Sequence, residues 1–283
     1  MKKILSALVV IAVLLVSVNL FAKTIIPSKK YVTKKVKVGD FKGISTGSSI
    51  DVIYTQTSGS SDVEIYASDN LIDYIQVTVE GETLVARFKS PTNNFSMSGS
   101  HKMEVRVSAP AVNELKASSS GDIILKNGLK TSGNVSLRSS SSGDIKGGMV
   151  SCDNLNVSAS SSGDVVLEKL KCGNLEVKAS SSGDVSIKDI ACTNVTASAS
   201  SSGDVYLAGT CQNANYQSSS SGELKAKDLK AVDVQANASS SGDITCYVSG
   251  TLKAQASSSG DVAYKGDPKH VDISPKRGVH KID

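Results

Sequence analysis

The chain has 283 residues, enough for one large or two small domains, and a formal charge of +4. Aromatic residues are only 4% and Trp is absent, which excludes a core built on large ring area and leaves Ser, Gly, Val and Ala to pack thin repetitive layers. The lysines are scattered rather than massed on one face, which excludes a nucleic-acid-binding surface.

The N-terminus reads as an export leader. Lys2 and Lys3 precede an apolar run from Ile4 to Val18 broken only by Ser6 and Ser17, and Leu20-Phe21-Ala22 puts a small residue at a cleavage position. The run is shorter than the roughly 20 residues of a membrane-spanning helix. Residues 1–22 are therefore expected to be a signal peptide; an uncleaved anchor is the alternative. Loss of Lys2 and Lys3 with the leader leaves +2. No Cys follows the run to take a lipid, and no later segment could span a membrane. The mature chain is expected in the periplasm or at the cell surface.

Strand patterns follow at Val36–Ile44, Ile50–Gln56, Val63–Ala67, Ile75–Val79, Thr83–Phe88 and Lys102–Val107. Gly39-Asp40, Ser58-Gly59-Ser60, Glu80-Gly81-Glu82 and Pro91-Thr92-Asn93-Asn94 read as turns. The spacing is irregular. This portion, 23–110, forms either the first elaborated coils or a separate β cap, and the lack of a linker before Leu115 favours one continuous stack.

From there a repeat sets in. Ser-Ser-Gly-Asp recurs with its Gly at 121, 143, 163, 183, 203, 222, 242 and 260, Glu223 alone replacing the Asp. Asn134, Asn154, Asn174, Asn194 and Asn213 keep phase with it, as do Cys152, Cys172, Cys192 and Cys211. Within one unit Leu155, Val157 and Ala159 alternate with polar residues, as do Val165 and Leu167, so each unit holds short strands with one buried face. Gly163 falls where a turn would use positive φ. A unit with about 20 residues cannot bury its own apolar face, but stacked units can, and identical direction makes the pairing parallel. The predicted fold is all-β: a right-handed parallel β-helix, right-handed because parallel crossovers are. Regular repeats span 111–265. Beyond Tyr264 the pattern degrades through Pro268, Pro275 and Lys276-Arg277, so 266–283 is expected to cap the stack.

An ordered set of features carries a family resemblance: Phe41-Lys42-Gly43-Ile44, Ile50-Asp51-Val52, Asp69 to Ile75, Gly81-Glu82-Thr83-Leu84, the Val105–Val107 strand, and Leu115 leading into Ser119-Ser120-Gly121-Asp122. In these the chain resembles the head GIN domain family of putative auto-transporter adhesins of bacterial envelopes. The resemblance implies a secreted β-helical fold and an adhesive role, and supplies no catalytic residues. No outer-membrane barrel follows the repeats, so self-export through one is not expected.

Three ladders could carry chemistry. Asp122, Asp144, Asp164, Asp184, Asp204, Asp243 and Asp261 would stack about 4.8 Å apart, close enough to repel and to attract calcium. The local reading, in which each Asp bonds turn amides, is favoured because the chain lacks the nine-residue period of calcium-binding solenoids. The Ser runs could offer a hydroxylated face to sugar or ice, but the repeat has no aromatic platform for sugar, so hydroxyls that satisfy one another up the stack are the favoured reading. The Cys ladder is expected to be mostly free thiols packed as small hydrophobes, with disulfides as the alternative, and Cys246 falls off it. The only His residues are His101, His270 and His280, none in a repeat, and the repeat is unbroken by any site. No catalytic residues and no cofactor are therefore expected. The chain reads as a non-catalytic envelope or surface interaction module presenting a repetitive Ser/Asp face; its partner is unknown, a cell-surface glycan or protein being the candidates. The rivals are a carbohydrate-active enzyme with its site in the first third, and a structural envelope protein without a ligand.

Overall fold

Alternation of period two dictates strands with one buried face, and the stacking of such strands gives an all-β parallel solenoid whose coils repeat every 18 to 22 residues. The computed structural model describes residues 23–89, 95–274 and 277–283. The expected signal peptide, the turn at Pro91-Thr92-Asn93-Asn94, and Pro275 and Lys276 lie outside the described residues. Among the described residues the only helical segment is a 3-10 turn at Ile72–Tyr74.

Each coil has three faces. The first is formed by Glu114–Ala117, Asn134–Ser140, Asn154–Ser160, Asn174–Ser180 and Asn194–Ser200, continued by the later halves of Asp204–Ser219 and Glu223–Ala238 and by Thr251–Ala256. The second follows the Gly corner and runs from Ile123–Leu125 through the starts of Ile145–Ser151, Val165–Lys171 and Val185–Ala191 to Asp261–Lys265. The third is short, pairing Val150 with Leu170, Leu170 with Ile190 and Ile190 with Gly209. All successive units from Glu114 onward pair in parallel; the first-face ladders from Asn134 to Ser219 run without interruption, while the register shifts after Ile187, Tyr206 and Ala226 on the way from the second face to the third. Leu155, Val157, Val165, Leu167 and Leu170 are at most 1% exposed. Each contributes about 1.5–3 kcal/mol by burial, which no isolated unit could gain.

The coil pattern starts ahead of the visible repeat. Gly43–Thr46 pairs in parallel with Glu114–Ala117, and Asp51–Gln56 with Ile123–Leu125, so the chain from Gly43 to Gln56 forms a coil. Two strands then extend these faces outward in parallel, Thr83–Phe88 beside Gly43–Thr46 and Met103–Ala109 beside Asp51–Gln56. Antiparallel strands finish that end: Ile75–Glu80 on Thr83–Phe88, then Asp62–Ser68 and Tyr31–Val36 beyond Met103–Ala109. The expected strand Val36–Ile44 is split at Gly39-Asp40 into Tyr31–Val36 and Gly43–Thr46. At the other end His270–Ile273 and Val279–Lys281 add one partial coil to two faces.

One layer departs from the small side chains of its neighbours. Tyr216 is fully buried between Ala197 and Ala236, in the coil whose third face carries Gly209 where its neighbours carry Ile190 and Leu229. The ring thus keeps layer volume level, but its hydroxyl has no partner. A buried donor left unpaired costs about 1–3 kcal/mol. Tyr216→Phe is therefore expected to raise stability by about 1 kcal/mol in urea unfolding; a loss of stability would show that the hydroxyl is satisfied.

Candidate functional site

The corner between the first and second faces is built from the repeat motif, and its conformational demand falls on Ser rather than Gly. Ser161 and Ser162 have φ of 51° and 65°, and the same left-handed pair recurs nine times among the described residues, from Ser48-Ser49 to Ser258-Ser259. Two successive positive φ values make the tight reversal. Gly163 is not in the positive-φ region, contrary to the expectation for it. Its lack of a side chain serves close packing instead: a Cβ there would lie 2.6 Å from the Ser140 N and 2.8 Å from the Gly143 O of the preceding coil. The Ser pairs are exposed, and among the described residues their hydroxyls bond to no protein atom.

Beside this ridge lies the carboxylate row. The Asp144 N–H donates to Asp122 Oδ1 at 2.9 Å, Asp164 to Asp144 at 3.0 Å, Asp184 to Asp164 at 3.0 Å and Asp204 to Asp184 at 2.9 Å. Asp51 heads the row, accepting from the Asp122 N–H at 3.1 Å. Its motif is hidden in the sequence because Ile50 stands where the other turns have Gly; the Ser pair before it was the available signal. Asp243 and Asp261 are brought into register with Glu223, but their N–H groups donate to the Gly222 and Gly242 carbonyls. The structure thus aligns all seven predicted Asp residues and links five of them. Lys146 bonds Asp122 and Asp144, and Lys225 pairs with Asp204 and Glu223. Burial nudges Asp51, Asp164 and Asp243 upward. A cation along the row would compete with the N–H donors for Oδ1, and among the described residues no three His, Cys, Asp or Glu side chains converge on one point suited to a metal.

The corner between the third and first faces carries the Asn and Cys ladders. Asn154, Asn174, Asn194 and Asn213 each donate from Nδ2 to the Oδ1 of the Asn one coil earlier, at 2.6–2.9 Å. Cys152, Cys172 and Cys211 are buried and Cys192 is half-buried, all as free thiols, while Cys246 is buried on the second face. Burial pushes Cys152 up to about 11 and Cys211 and Cys246 up to about 12. Cys172 and Cys192 lie with their sulfurs 2.8 Å apart. A shallow groove of about 1050 Å³ runs along this corner past Ser132, Cys152, Cys172, Cys192, Thr193 and Thr210.

One surface cluster escaped the sequence reading, since its members are far apart in the chain. On the outer side of the N-terminal sheet Tyr31 stacks on Tyr66 at 5.3 Å, and the Arg106 guanidinium lies 4.2 Å from the Tyr66 centroid. Burial disfavours charge on Glu104, but hydrogen bonds from Lys102 and Arg106 prevail and hold its carboxyl below the usual range. That pairing makes it a structural anion.

A stack of coils that displays one polar corner many times over, with a core filled by side chains, defines a parallel β-solenoid repeat protein. The chain belongs to the family described as "Putative auto-transporter adhesin, head GIN domain", whose model matches residues 40–169 and 165–268. Solved structures agree in fold. One described as a putative lipid binding protein from Parabacteroides distasonis is 27% identical, with a TM-score of 0.63 over 92% of this chain and 100% of that one. A putative adhesin from Parabacteroides merdae is 21% identical, TM-score 0.66, covering 92% and 99%. A putative adhesin from Parabacteroides distasonis is 21% identical, TM-score 0.63, covering 92% and 100%. A search of curated proteins finds no match.

Proposed function

We propose that the protein is an exported, non-catalytic interaction module of the cell envelope or surface, which presents the Ser ridge and its neighbouring carboxylates to a glycan or protein. The observation that carries this reading is the ridge: nine exposed Ser pairs held in one backbone conformation and stacked in register. The fixed backbone spaces eighteen hydroxyls at regular intervals as donors and acceptors, so binding needs to order only their side-chain rotors. A repeating ligand would meet a repeating surface and gain from many weak contacts at once. Family membership supports both the adhesive role and the exported location.

The test uses the mature chain on glycan and matrix-protein arrays, with lipid vesicles as a further arm because one relative is described as lipid-binding. A variant carries Asn-Gly in place of Ser161-Ser162, Ser181-Ser182 and Ser201-Ser202. Both residues suit positive φ, so the turns persist while the hydroxyls go. Glycan or protein binding that falls at least tenfold in the variant supports the ridge. Binding that survives unchanged moves the site elsewhere. Vesicle binding alone overturns the reading in favour of a lipid partner, and silence in every arm favours a purely structural protein.

A further inference from the structure

Among the described residues Cys172 and Cys192 are the one hydrogen-bonded pair of thiols, with 2.8 Å between Sγ atoms. The two residues hold equivalent places in successive coils: the Cys172 N–H donates to the Ala191 carbonyl, as the Cys192 N–H does to Thr210. Stacked coils put such Cα atoms about 4.8 Å apart, within the range a disulfide spans. Neighbours within a parallel sheet point their Cβ atoms alongside each other, which opposes the torsion a disulfide needs. Cys172 and Cys192 are freer, because they sit at the corner between strands: Val165–Lys171 and Val185–Ala191 end just before them, and Asn174–Ser180 and Asn194–Ser200 begin two residues after. The sulfurs need close by less than an ångström to reach a bond of about 2.05 Å. Cys192 is half-buried and borders the open groove, so a reagent can reach it.

We propose that Cys172 and Cys192 form a disulfide in the exported chain, a staple joining two successive coils at this corner. The oxidant is the disulfide of a thiol–disulfide exchange donor. The Cys192 thiolate attacks one donor sulfur, forming a mixed disulfide and releasing the other donor sulfur as a thiolate. Cys172 then loses its proton and attacks Cys192 Sγ, so the second donor sulfur leaves. Two protein thiols are oxidised, one donor disulfide is reduced to two thiols, and the two protein protons end on the donor. Ionisation favours this order: with Cys172 as the hydrogen-bond donor, its S–H stays protonated and eases the loss of the Cys192 proton. The closed loop is one coil, so the staple blocks slippage of one coil against the next.

The experiment exports the full chain to an oxidising periplasm, blocks thiols with N-ethylmaleimide during lysis, and maps the digest by mass spectrometry without reduction. The expected result is a Cys172–Cys192 cross-linked peptide, with Cys152, Cys211 and Cys246 carrying maleimide. Cys152→Ser retains the link, and Cys172→Ser yields four maleimide sites and no link. Five maleimide sites in the native chain, persisting after equilibration with oxidised glutathione, would overturn the staple, as would a link between any other pair.

Discussion

Gly183→Ala is expected to destabilise the protein by about 3 kcal/mol, at the upper end of the usual cost of overpacking. The new Cβ would lie 2.4 Å from the Ser160 N, 2.7 Å from its Cα and 2.8 Å from the Ala159 carbonyl carbon, all of them backbone atoms of the coil beneath. A flexible side chain could swing away, but a hydrogen-bonded strand cannot. The neighbouring Ser182→Gly should act in the opposite sense. Ser182 has φ of 65°, a conformation that costs a side-chain-bearing residue about 1–2 kcal/mol. Gly escapes that cost but gives back about 0.5–1 kcal/mol in unfolded-chain freedom, so a gain of up to about 1.5 kcal/mol is expected. Urea unfolding of both variants measures the pair. Tolerance of Ala at 183 together with damage from Gly at 182 would reverse the assignment of roles in the turn.

Removal of Gly266–Asp283 is expected to make the protein associate end to end more strongly than the full chain as concentration rises. His270–Ile273 covers Thr251–Ala254, and Val279–Lys281 covers Val262–Tyr264. Without them two strands present unpaired N–H and C=O groups at the foot of a stack whose other coils already offer the matching template. The native tail ends in strands of only four and three residues, with Pro268 and Arg277 alongside, and such short interrupted edges pair poorly. Light scattering across a concentration series reads the outcome. A truncated chain that stays monomeric with unchanged thermal stability would rule out a capping role.

The solenoid was legible because the signal was redundant: Gly, Asn and Cys markers recur in phase with period-two alternation, and each implies the others. Four things were harder to read. Positive φ was assigned to Gly163 on general preference, whereas the pattern Ser-Ser-Gly encodes two separate demands, a reversal borne by the serines and a close approach borne by the glycine. The first coil was obscured because Ile50 takes the Gly position there and the strands that complete it arrive only after long excursions. The Asp row could be placed by spacing, but not the N–H donors it accepts, since these depend on register between coils. Contacts such as Tyr31 with Tyr66 and Arg106 join residues with no common pattern, and only the folded sheet brings them together.

The two central units with Gly at 163 and 183 are equal in length and keep one constant offset in both of their main ladders. Each touches chiefly the unit before and the unit after. Duplication of one such unit in the gene would therefore insert a coil that fits between its neighbours with no new contact to be invented. Deletion of one would close the gap as cleanly. The length of the molecule is thus adjustable in steps of about 4.8 Å, so descendants of one gene can project to different heights while keeping both ends and the same exposed corner.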